Sequence, residues 1–256
     1  MKKAIILVMS CNQEAFFNEE EGIKQTYAKE ILEGKHENLD ILFYRGGVDK
    51  SFYDAEKKLY LSAENDDLNG TYHKTLDVFR FVYENFPEYD YIIRTNTSTY
   101  INIEAILQFL NLEEDYSGKA IGTHLIISPV NKSVPFLRGN FLIFHKEIIK
   151  DLINNTIQIE CGIDDFIIGY MMGRMYGDKY LTKLLSVNSI HTMSLPYKDM
   201  LNVSYCVRIK NDADRDNIIN DMHLIHNIYK SEEITTTIKP PGGFNCIETM
   251  YGMIPV

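Results

Sequence analysis

The sequence contains no tryptophan and only four cysteines, which are far apart and form no CxxC pair: Cys11, Cys161, Cys206 and Cys246. This scatter disfavours a zinc site or a disulfide-rich framework, and it is typical of a protein of the reducing cytoplasm. No stretch is rich in proline, glycine or serine, so no interdomain linker is evident. We therefore expect a single domain over residues 1–256, with a less regular portion from about residue 195.

Basic residues are outnumbered as well. The 26 lysines and arginines face 36 aspartates and glutamates, which gives a net charge of −10. This surplus disfavours binding to nucleic acid, although it is compatible with a local basic pocket. No apolar run approaches the ~20 residues that span a bilayer, so we expect no transmembrane segment, and peripheral membrane association stays compatible with the sequence. The run at 4–9 has six residues. The apolar core of a secretion signal needs ~7–15 residues. We therefore interpret this run as a buried strand.

Short apolar runs alternate with segments of helical spacing. The runs predict strands at 4–9, 40–44, 59–61, 89–94, 120–127 and 141–144. The helical spacing predicts helices at 19–32, 75–85, 103–110, 146–153 and 164–175. This alternation indicates an α/β fold with a mostly parallel, twisted, Rossmann-like sheet and helices on both faces.

Three polar segments follow predicted strands directly. They lie at 10–12 (Ser-Cys-Asn), 45–47 (Arg-Gly-Gly) and 94–99 (Arg-Thr-Asn-Thr-Ser-Thr). In sheets of this kind, ligands bind beyond the carboxyl ends of the strands. The sequence therefore predicts a ligand site at one rim of the sheet, lined by these segments.

Six motifs occur in an order and spacing that resemble a known family. They are IKQTY at 23–27, ILFY at 41–44, ENDDLNGTYHKTL at 64–76, YIIRTNTSTYIN at 91–102, FLRGNF at 136–141 and DDFIIGY at 164–170. Over about residues 4–192 the chain resembles the β1,3-galactosyltransferase and Fringe-like glycosyltransferases, which have a GT-A-like fold. The resemblance implies an enzyme of polysaccharide biosynthesis. It would move a hexose, of galactose or N-acetylglucosamine type, from a UDP-sugar to a glycan hydroxyl with inversion.

The resemblance also implies catalytic roles for two adjacent acids. Asp165 corresponds to the general base, and Asp164 lies beside it to orient it or to share a proton. Two acids at a helix start have a simpler explanation, because the helix dipole favours negative charge there. Two other functions stay open. One is a catalytically silent homologue that binds a nucleotide or sugar, and the other is a retaining transferase on the same fold.

The family's DDD motif, which holds a divalent cation, is replaced here. Its positions carry Asn96, Thr97 and Ser98. Mg²⁺ and Mn²⁺ prefer carboxylate oxygens, so we expect this degenerate motif to bind a metal weakly or not at all. The diphosphate would then need cationic side chains. The candidates are Lys24, Lys74, Arg94, Arg208, Lys210 and Arg215. Arg208 and Lys210 would share one face of a strand, which also suits a solvated face.

The remaining donor contacts are expected from the resemblance. Uracil is expected at Ser10, Cys11 and Asn12, with Tyr44 or Arg45 against its ring or ribose, and with Asn96 and Ser98 near the phosphates. Arg138 and Gly139 are expected in the sugar or acceptor pocket, and His191 is expected to donate a hydrogen bond to a phosphate oxygen. Asp66 and Asp67 are interpreted as a solvated acidic pair, and His223 and His226 as neighbours on a helix.

Overall fold

The computed structural model describes residues 1–68, 70–126, 135–158, 163–192, 201, 203–209, 215–231, 235–243, 246–249 and 252–255. The strands in these ranges are β1 Ala4–Met9, β2 Leu39–Arg45, β3 Phe52–Asp54, β4 Leu59–Leu61, β5 Tyr91–Asn96, β6 Thr99–Ile101, β7 Ala120–Gly122, β8 Leu125–Ile126, β9 Phe136–Leu137, β10 Phe141–His145, β11 Leu184–Ser186, β12 Ser189–Thr192, β13 Cys206–Ile209, β14 Cys246–Thr249 and β15 Gly252–Pro255. The α-helices there are α1 Glu14–Gln25, α2 Lys29–Leu32, α3 Thr71–Asn85, α4 Ile103–Leu110, α5 Lys146–Asn154, α6 Asp164–Tyr176 and α7 Asp216–Lys230.

The main sheet has eight strands in the order β11-β7-β10-β5-β1-β2-β4-β3. Strand β1 pairs in parallel with β2 and with β5, whereas β10 is antiparallel to β5 and to β7. Alternate residues of β1 enter two hydrophobic cores, with Ile6 and Val8 in one and Ile5 and Leu7 in the other. A strand covered on both faces is continuously apolar, as β1 is. The expected mostly parallel α/β fold is confirmed.

The carboxyl ends of three central strands lie level with one another. Met9, near the end of β1, pairs with Tyr44 of β2 on one side and with Asn96 of β5 on the other. The polar segments that follow these strands therefore leave the sheet at one edge. We call this edge the strand-end rim.

A smaller sheet brings a distant part of the chain to the same rim. Its order is β12-β13-β6, and β6 begins three residues after β5 ends. In β13, Arg208 is in register with Thr99 of β6 and with His191 of β12. This pairing places Arg208 beside the polar residues at the end of β5.

Several predicted boundaries were wrong. The predicted helix at 19–32 is two helices, α1 and α2, and α1 already begins at Glu14, after Gln13 with an extended backbone. The predicted strand at 120–127 is β7 and β8, which belong to different sheets. Strands β6, β9 and β11 to β13 are short, and their apolar runs give too weak a pattern for prediction. Within the ranges given above, no helix combines the length and apolar character that a membrane crossing requires.

Candidate functional site

The two adjacent acids lie in the first turn of α6, at the strand-end rim. Ile163 before them has an extended backbone, so the helix begins at Asp164. The Asp165 carboxylate accepts two backbone hydrogen bonds, from Phe166 N at 2.8 Å and from Gly139 N at 2.8 Å. Asp164 is buried, whereas Asp165 stays partly exposed. Of the two acids, Asp165 is therefore the one open to a ligand.

Arg94 contacts one of the acids directly and the other by way of Gly139. Its Nη2 lies 2.6 Å from Asp164 Oδ2, and both side chains are 2% exposed. Its Nη1 donates to the carbonyl oxygen of Gly139, the residue whose N–H binds Asp165. Arg94, Asp164, Asp165 and Gly139 thus form a closed ring of contacts, which we call the aspartate ring. A ring of this kind holds the Asp165 carboxylate in one orientation.

A buried relay of hydroxyl groups supports the aspartate ring. Thr75 Oγ1 donates to Asp164 Oδ2 at 3.1 Å, and Tyr44 OH lies 2.9 Å from Thr75 Oγ1. Tyr44 is fully buried, so the prediction that it flanks a nucleotide ring was wrong. Its β2 position faces the core beneath the rim, and burial raises the pKa of its hydroxyl to about 12. Tyr44 is therefore a neutral hydrogen-bonding group of the scaffold.

The environment of Asp165 changes its acidity. The pKa of Asp165 is raised to about 6, chiefly by burial and also by the neighbouring Asp164 charge, while Arg94 opposes both. A carboxylate with a pKa just below neutrality is ionised at pH 7 yet basic enough to accept a proton from a reacting group. The partial exposure and the raised pKa of Asp165 are properties that a general base needs.

The Asp165 and Arg94 side chains lie so close to Gly139 that they leave no room for a side chain at this position. A Cβ atom at this position would lie 2.8 Å from Asp165 Oδ2 and 3.0 Å from Arg94 Nη1. We expect Gly139→Ala to lower the free energy of unfolding by about 1–3 kcal/mol, because either side chain must move. Gly243→Ala is the matched control, since nothing lies within 4 Å of a Cβ atom there. Urea unfolding measures both variants, and equal stability of the two would contradict the packing of the aspartate ring.

A second buried ion pair joins the ends of β1 and β2. Lys74 Nζ is fully buried and lies 2.7 Å from Asp66 Oδ1 and 2.9 Å from the carbonyl oxygen of Ser10. Asp66 also accepts from Gly46 N at 2.8 Å and from Asn12 N. The interpretation of Asp66 as solvated was wrong, because its carboxylate neutralises Lys74 and caps two strand-end loops. No spacing in the sequence indicates this loop contact.

Arg45 also has a partner inside the protein. It donates to both carboxylate oxygens of Glu20, at 2.8 and 2.5 Å, and its guanidinium lies 4.1 Å from the centre of the Phe17 ring. These contacts fix the start of α1 against the end of β2. Ser10 lies close by, and its buried hydroxyl has no hydrogen-bond partner among the described residues. A buried hydroxyl without a partner is costly unless a ligand or water binds it.

Asn96, Thr97 and Ser98, where the resemblance leads us to expect an acidic motif, make contacts within the protein. The Asn96 side-chain oxygen accepts hydrogen bonds from Arg208 Nη1, from Thr99 Oγ1 at 2.9 Å and from Ser98 Oγ at 3.3 Å. Thr97 Oγ1 instead donates to the Glu19 carboxylate. An arginine therefore binds the Asn96 side chain at the end of β5.

Glu19 is a buried acid that the sequence analysis did not single out. Its Oε1 lies 2.9 Å from Arg215 Nη1, whose guanidinium lies 4.2 Å from the centre of the Phe16 ring. Burial raises the pKa of Glu19, while Thr97 and Arg215 oppose that shift. Arg215 therefore binds this buried glutamate, and the charge of Arg208 also acts to lower its pKa. In the sequence, Glu19 looks like an ordinary acid of an amphipathic helix.

The other predicted residues have varied positions. Arg138 is partly exposed beside Gly139, Cys11 is partly exposed beside Lys74, and burial raises the pKa of the Cys11 thiol. His191 lies in β12 in register with Arg208, and Lys210 lies outside the described residues. Over the part of the chain that the structure describes, no three metal-binding side chains come together.

The fold is that of the GT-A glycosyltransferases. A glycosyltransferase involved in the glycosylation of the major capsid of PBCV-1 superposes on it with a TM-score of 0.50 at 14% identity, over 87% of this chain and 99% of that chain. The galactosyltransferase LgtC, solved with donor and acceptor sugar analogues, gives a TM-score of 0.46 at 10% identity, over 92% of this chain and 97% of that chain. At these identities the likeness establishes the fold alone.

Two further comparisons gave no relatives. A scan against protein families finds no match, and a search of curated proteins finds none either. The resemblance to the β1,3-galactosyltransferase and Fringe-like family therefore stays a prediction.

Proposed function

We propose that this protein is a glycosyltransferase that moves a sugar from a nucleotide-sugar donor to a hydroxyl of a glycan acceptor. The observation that carries the proposal is the aspartate ring, which presents one partly exposed carboxylate at the strand-end rim of a GT-A fold. The helix dipole alone favours acids in the first turn of a helix. It does not account for the buried Arg94 beside them or for the hydrogen bond from Gly139 to Asp165.

The reaction needs a base and a leaving group. The Asp165 carboxylate takes the proton of the acceptor hydroxyl, and the hydroxyl oxygen forms a bond to the anomeric carbon of the donor. The bond from that carbon to the β-phosphate oxygen breaks, and its electron pair leaves with the nucleoside diphosphate. Attack from the face opposite the phosphate inverts the anomeric centre. The proton then leaves Asp165 for solvent.

Asp164 has a supporting role in this proposal. It is buried and bound to Arg94 and Thr75, so it does not contact the acceptor. Its negative charge raises the pKa of Asp165 and makes that carboxylate a stronger base. Arg94 was expected to bind phosphate, but a fully buried guanidinium that contacts Asp164 and Gly139 serves the aspartates instead.

The donor is proposed to be a UDP-hexose of galactose or N-acetylglucosamine type, held across the strand-end rim. The unpartnered hydroxyl of Ser10, together with Cys11 and Asn12 beside it, supports a nucleoside at the end of β1. Lys74 lies beneath this place but is bound to Asp66, so it stabilises the loop and does not reach the diphosphate. Arg138 beside Gly139 is proposed to face the sugar or the acceptor.

The test is release of UDP from a panel of UDP-hexoses, with and without glycan acceptors, followed by identification of the product. Acceptor-dependent release with an inverted product supports the proposal. A product of retained configuration would remove Asp165 as base and favour the retaining alternative. Nucleotide binding without turnover on any acceptor would favour a catalytically silent homologue.

The pH profile is a separate prediction. Only the ionised Asp165 can accept a proton, and burial raises its pKa to about 6. We therefore expect log kcat/KM to rise with a slope near one up to about pH 6 and to level off above it. Steady-state rates between pH 4.5 and 8.5 measure this, in buffers of constant ionic strength. A profile that is already level at pH 4.5 would contradict a raised pKa for the base.

A further inference from the structure

The aspartate ring contains two carboxylates, and the proposed reaction needs them in different states. Asp164 and Asp165 are adjacent in the first turn of α6, and the charge of Arg94 acts on both. Neighbouring carboxylates titrate as a pair, so their chemistry alone does not fix which of them holds the last proton. A proton on Asp164 would remove the negative charge that makes Asp165 a stronger base. The surrounding protein therefore has to distinguish the two acids.

Two hydroxyl groups make this distinction possible. Thr75 of α3 lies with its Oγ1 3.1 Å from Asp164 Oδ2, and Tyr44 of β2 lies with its OH 2.9 Å from Thr75 Oγ1. We call Thr75 and Tyr44 the hydroxyl relay. All three residues are buried. Among the described residues, the hydroxyl relay ends on Asp164 and makes no hydrogen bond to Asp165.

The direction of the hydrogen bonds in the relay follows from the available protons. An ionised carboxylate only accepts, so the single hydroxyl proton of Thr75 is donated to Asp164. Tyr44 must then donate to a lone pair of Thr75. Burial raises the pKa of the Tyr44 hydroxyl to about 12, although Arg94 opposes this shift, so Tyr44 keeps its proton. Successive hydrogen bonds strengthen one another, and this chain ends on a charge.

Asp165 has a different environment. It accepts two backbone hydrogen bonds and stays partly exposed. The apolar side chains of Leu137, Ile168 and Met172 border the small space beside it. An apolar border disfavours a charge, whereas a guanidinium and a donating hydroxyl favour one. The negative charge is therefore better stabilised on Asp164 than on Asp165.

Other titratable groups on the elements around α6 have partners of their own. They are Lys74 of α3 with Asp66, Asp151 of α5 with Tyr176, and Tyr180 after α6 with the Pro135 carbonyl oxygen. His73 packs against the Tyr72 ring, and Arg138 is partly exposed beside Gly139. In the part of the chain that the structure describes, the side chains that bind the Asp164 carboxylate are those of Arg94 and Thr75.

We propose that Thr75 and Tyr44 are positioning residues that hold the negative charge on Asp164 and so leave Asp165 as the carboxylate that takes and releases the proton. This proposal rests on the proposed function and names the groups that select its base. Both residues are buried and act through Asp164. When Asp165 takes the proton of the acceptor hydroxyl, the hydroxyl relay prevents that proton from passing to Asp164.

The experiment follows the aspartate carboxyl carbons by ¹³C NMR from pH 4.5 to 8.5, with no substrate present. Asp164→Asn and Asp165→Asn identify the two signals, because each variant lacks one of them. At pH 5 we expect the unchanged protein to show Asp164 as a carboxylate and Asp165 as a carboxylic acid, with a pKa of about 6 for Asp165. A proton on Asp164 at pH 5 would overturn the proposal.

The variants test the hydroxyl relay itself. Thr75→Val keeps the shape of the side chain but removes its hydroxyl, so we expect both signals to titrate together and the pair to lose its last proton about one pH unit higher. Tyr44→Phe leaves the Thr75 donor in place and should shift the titration in the same direction by less. This variant keeps the test decisive if Thr75→Val does not fold. Thr75→Ser retains the hydroxyl and should restore the original titration.

Tyr60→Phe is the matched control. Tyr60 is buried on β4 in register with Tyr44, and its hydroxyl donates to Asp77 at 3.0 Å, outside the aspartate ring. This variant loses the same group from the same sheet, and we expect both signals to titrate as in the unchanged protein. A shift as large as that of Tyr44→Phe would overturn the proposal, because it would report a general loosening of the core.

The remaining outcomes separate the two proposals. Unchanged titrations in both Thr75→Val and Tyr44→Phe would overturn the role of the hydroxyl relay and leave the proposed function standing. The expected titrations in a protein that transfers sugar to no acceptor would overturn the proposed function and leave the hydroxyl relay standing.

Discussion

Replacing Asp165 by asparagine is expected to lower the rate of sugar transfer by at least about 100-fold while UDP affinity changes little. Asparagine has the same shape and can still accept the hydrogen bond from Gly139 N, but it cannot take the proton of the acceptor hydroxyl. Transfer rates and calorimetry with UDP measure the two effects separately. Asp178→Asn, at an exposed position beyond α6, is the matched control and should transfer sugar normally.

The stability of the Asp165→Asn variant provides a check on its fold. The folded-state pKa of Asp165 is about 6, above its ordinary value of 3.8. Ionisation of this group therefore opposes folding. That cost is absent below the unfolded-state pKa and fully present above the folded-state pKa. At pH 8 we therefore expect a melting temperature no lower than that of the unchanged protein, so lost activity would report chemistry. A variant that transfers sugar at the normal rate would exclude Asp165 from the reaction.

The second large effect is expected from Arg94→Met. Methionine keeps an apolar stem of similar length but leaves the Asp164 carboxylate, 2% exposed, without its counter-charge. A buried charge that loses its partner costs about 3–5 kcal/mol of folding free energy. Urea unfolding at neutral pH should show a loss of this size. Transfer activity should fall as well, because Arg94 also binds the Gly139 carbonyl.

Two variants provide the controls for Arg94→Met. Lys24→Met removes a cation from the exposed pair with Glu21, whose side chains are 33% and 59% exposed, and should cost at most about 1 kcal/mol. Adding Asp164→Asn to Arg94→Met removes the orphaned charge and should recover at least about half of the lost stability. A loss below about 1 kcal/mol for Arg94→Met alone would contradict the aspartate ring.

Much of the scaffold follows from the sequence. Helix α4 has the predicted bounds, because its apolar spacing is regular and Asn102 caps its start. Strands β1, β2, β5 and β10 were predicted within two residues, since buried strands are short runs of β-branched and aromatic residues. The strand-end rim was predicted as well, because parallel strands bring their carboxyl ends to one edge.

The contacts of the site could not be predicted in the same way. Glu19, Asp66 and Arg94 are charged residues that look solvated in a one-dimensional pattern, since charged side chains are rarely buried without a partner. Glu19 and Arg94 are buried here, and Asp66 is largely covered, because a partner from a distant segment meets each of them. Arg94 illustrates the difficulty: the rim position was predicted, but its assignment to phosphate missed the carboxylate beneath it.

The contacts of the small sheet and of the segment after it have a consequence for the order in which the chain folds. The contact of Arg208 with Asn96 spans 112 residues, and that of Arg215 with Glu19 spans 196. Closing loops of this length costs chain entropy, and this cost is offset only when the contacts between the two distant segments form. As the chain emerges from the ribosome, Asn96 and Glu19 are synthesised well before Arg208 and Arg215, whereas Arg94 precedes the two aspartates that it serves. An unfinished chain would thus complete the aspartate ring first, and the end of the rim at β5 would be completed last.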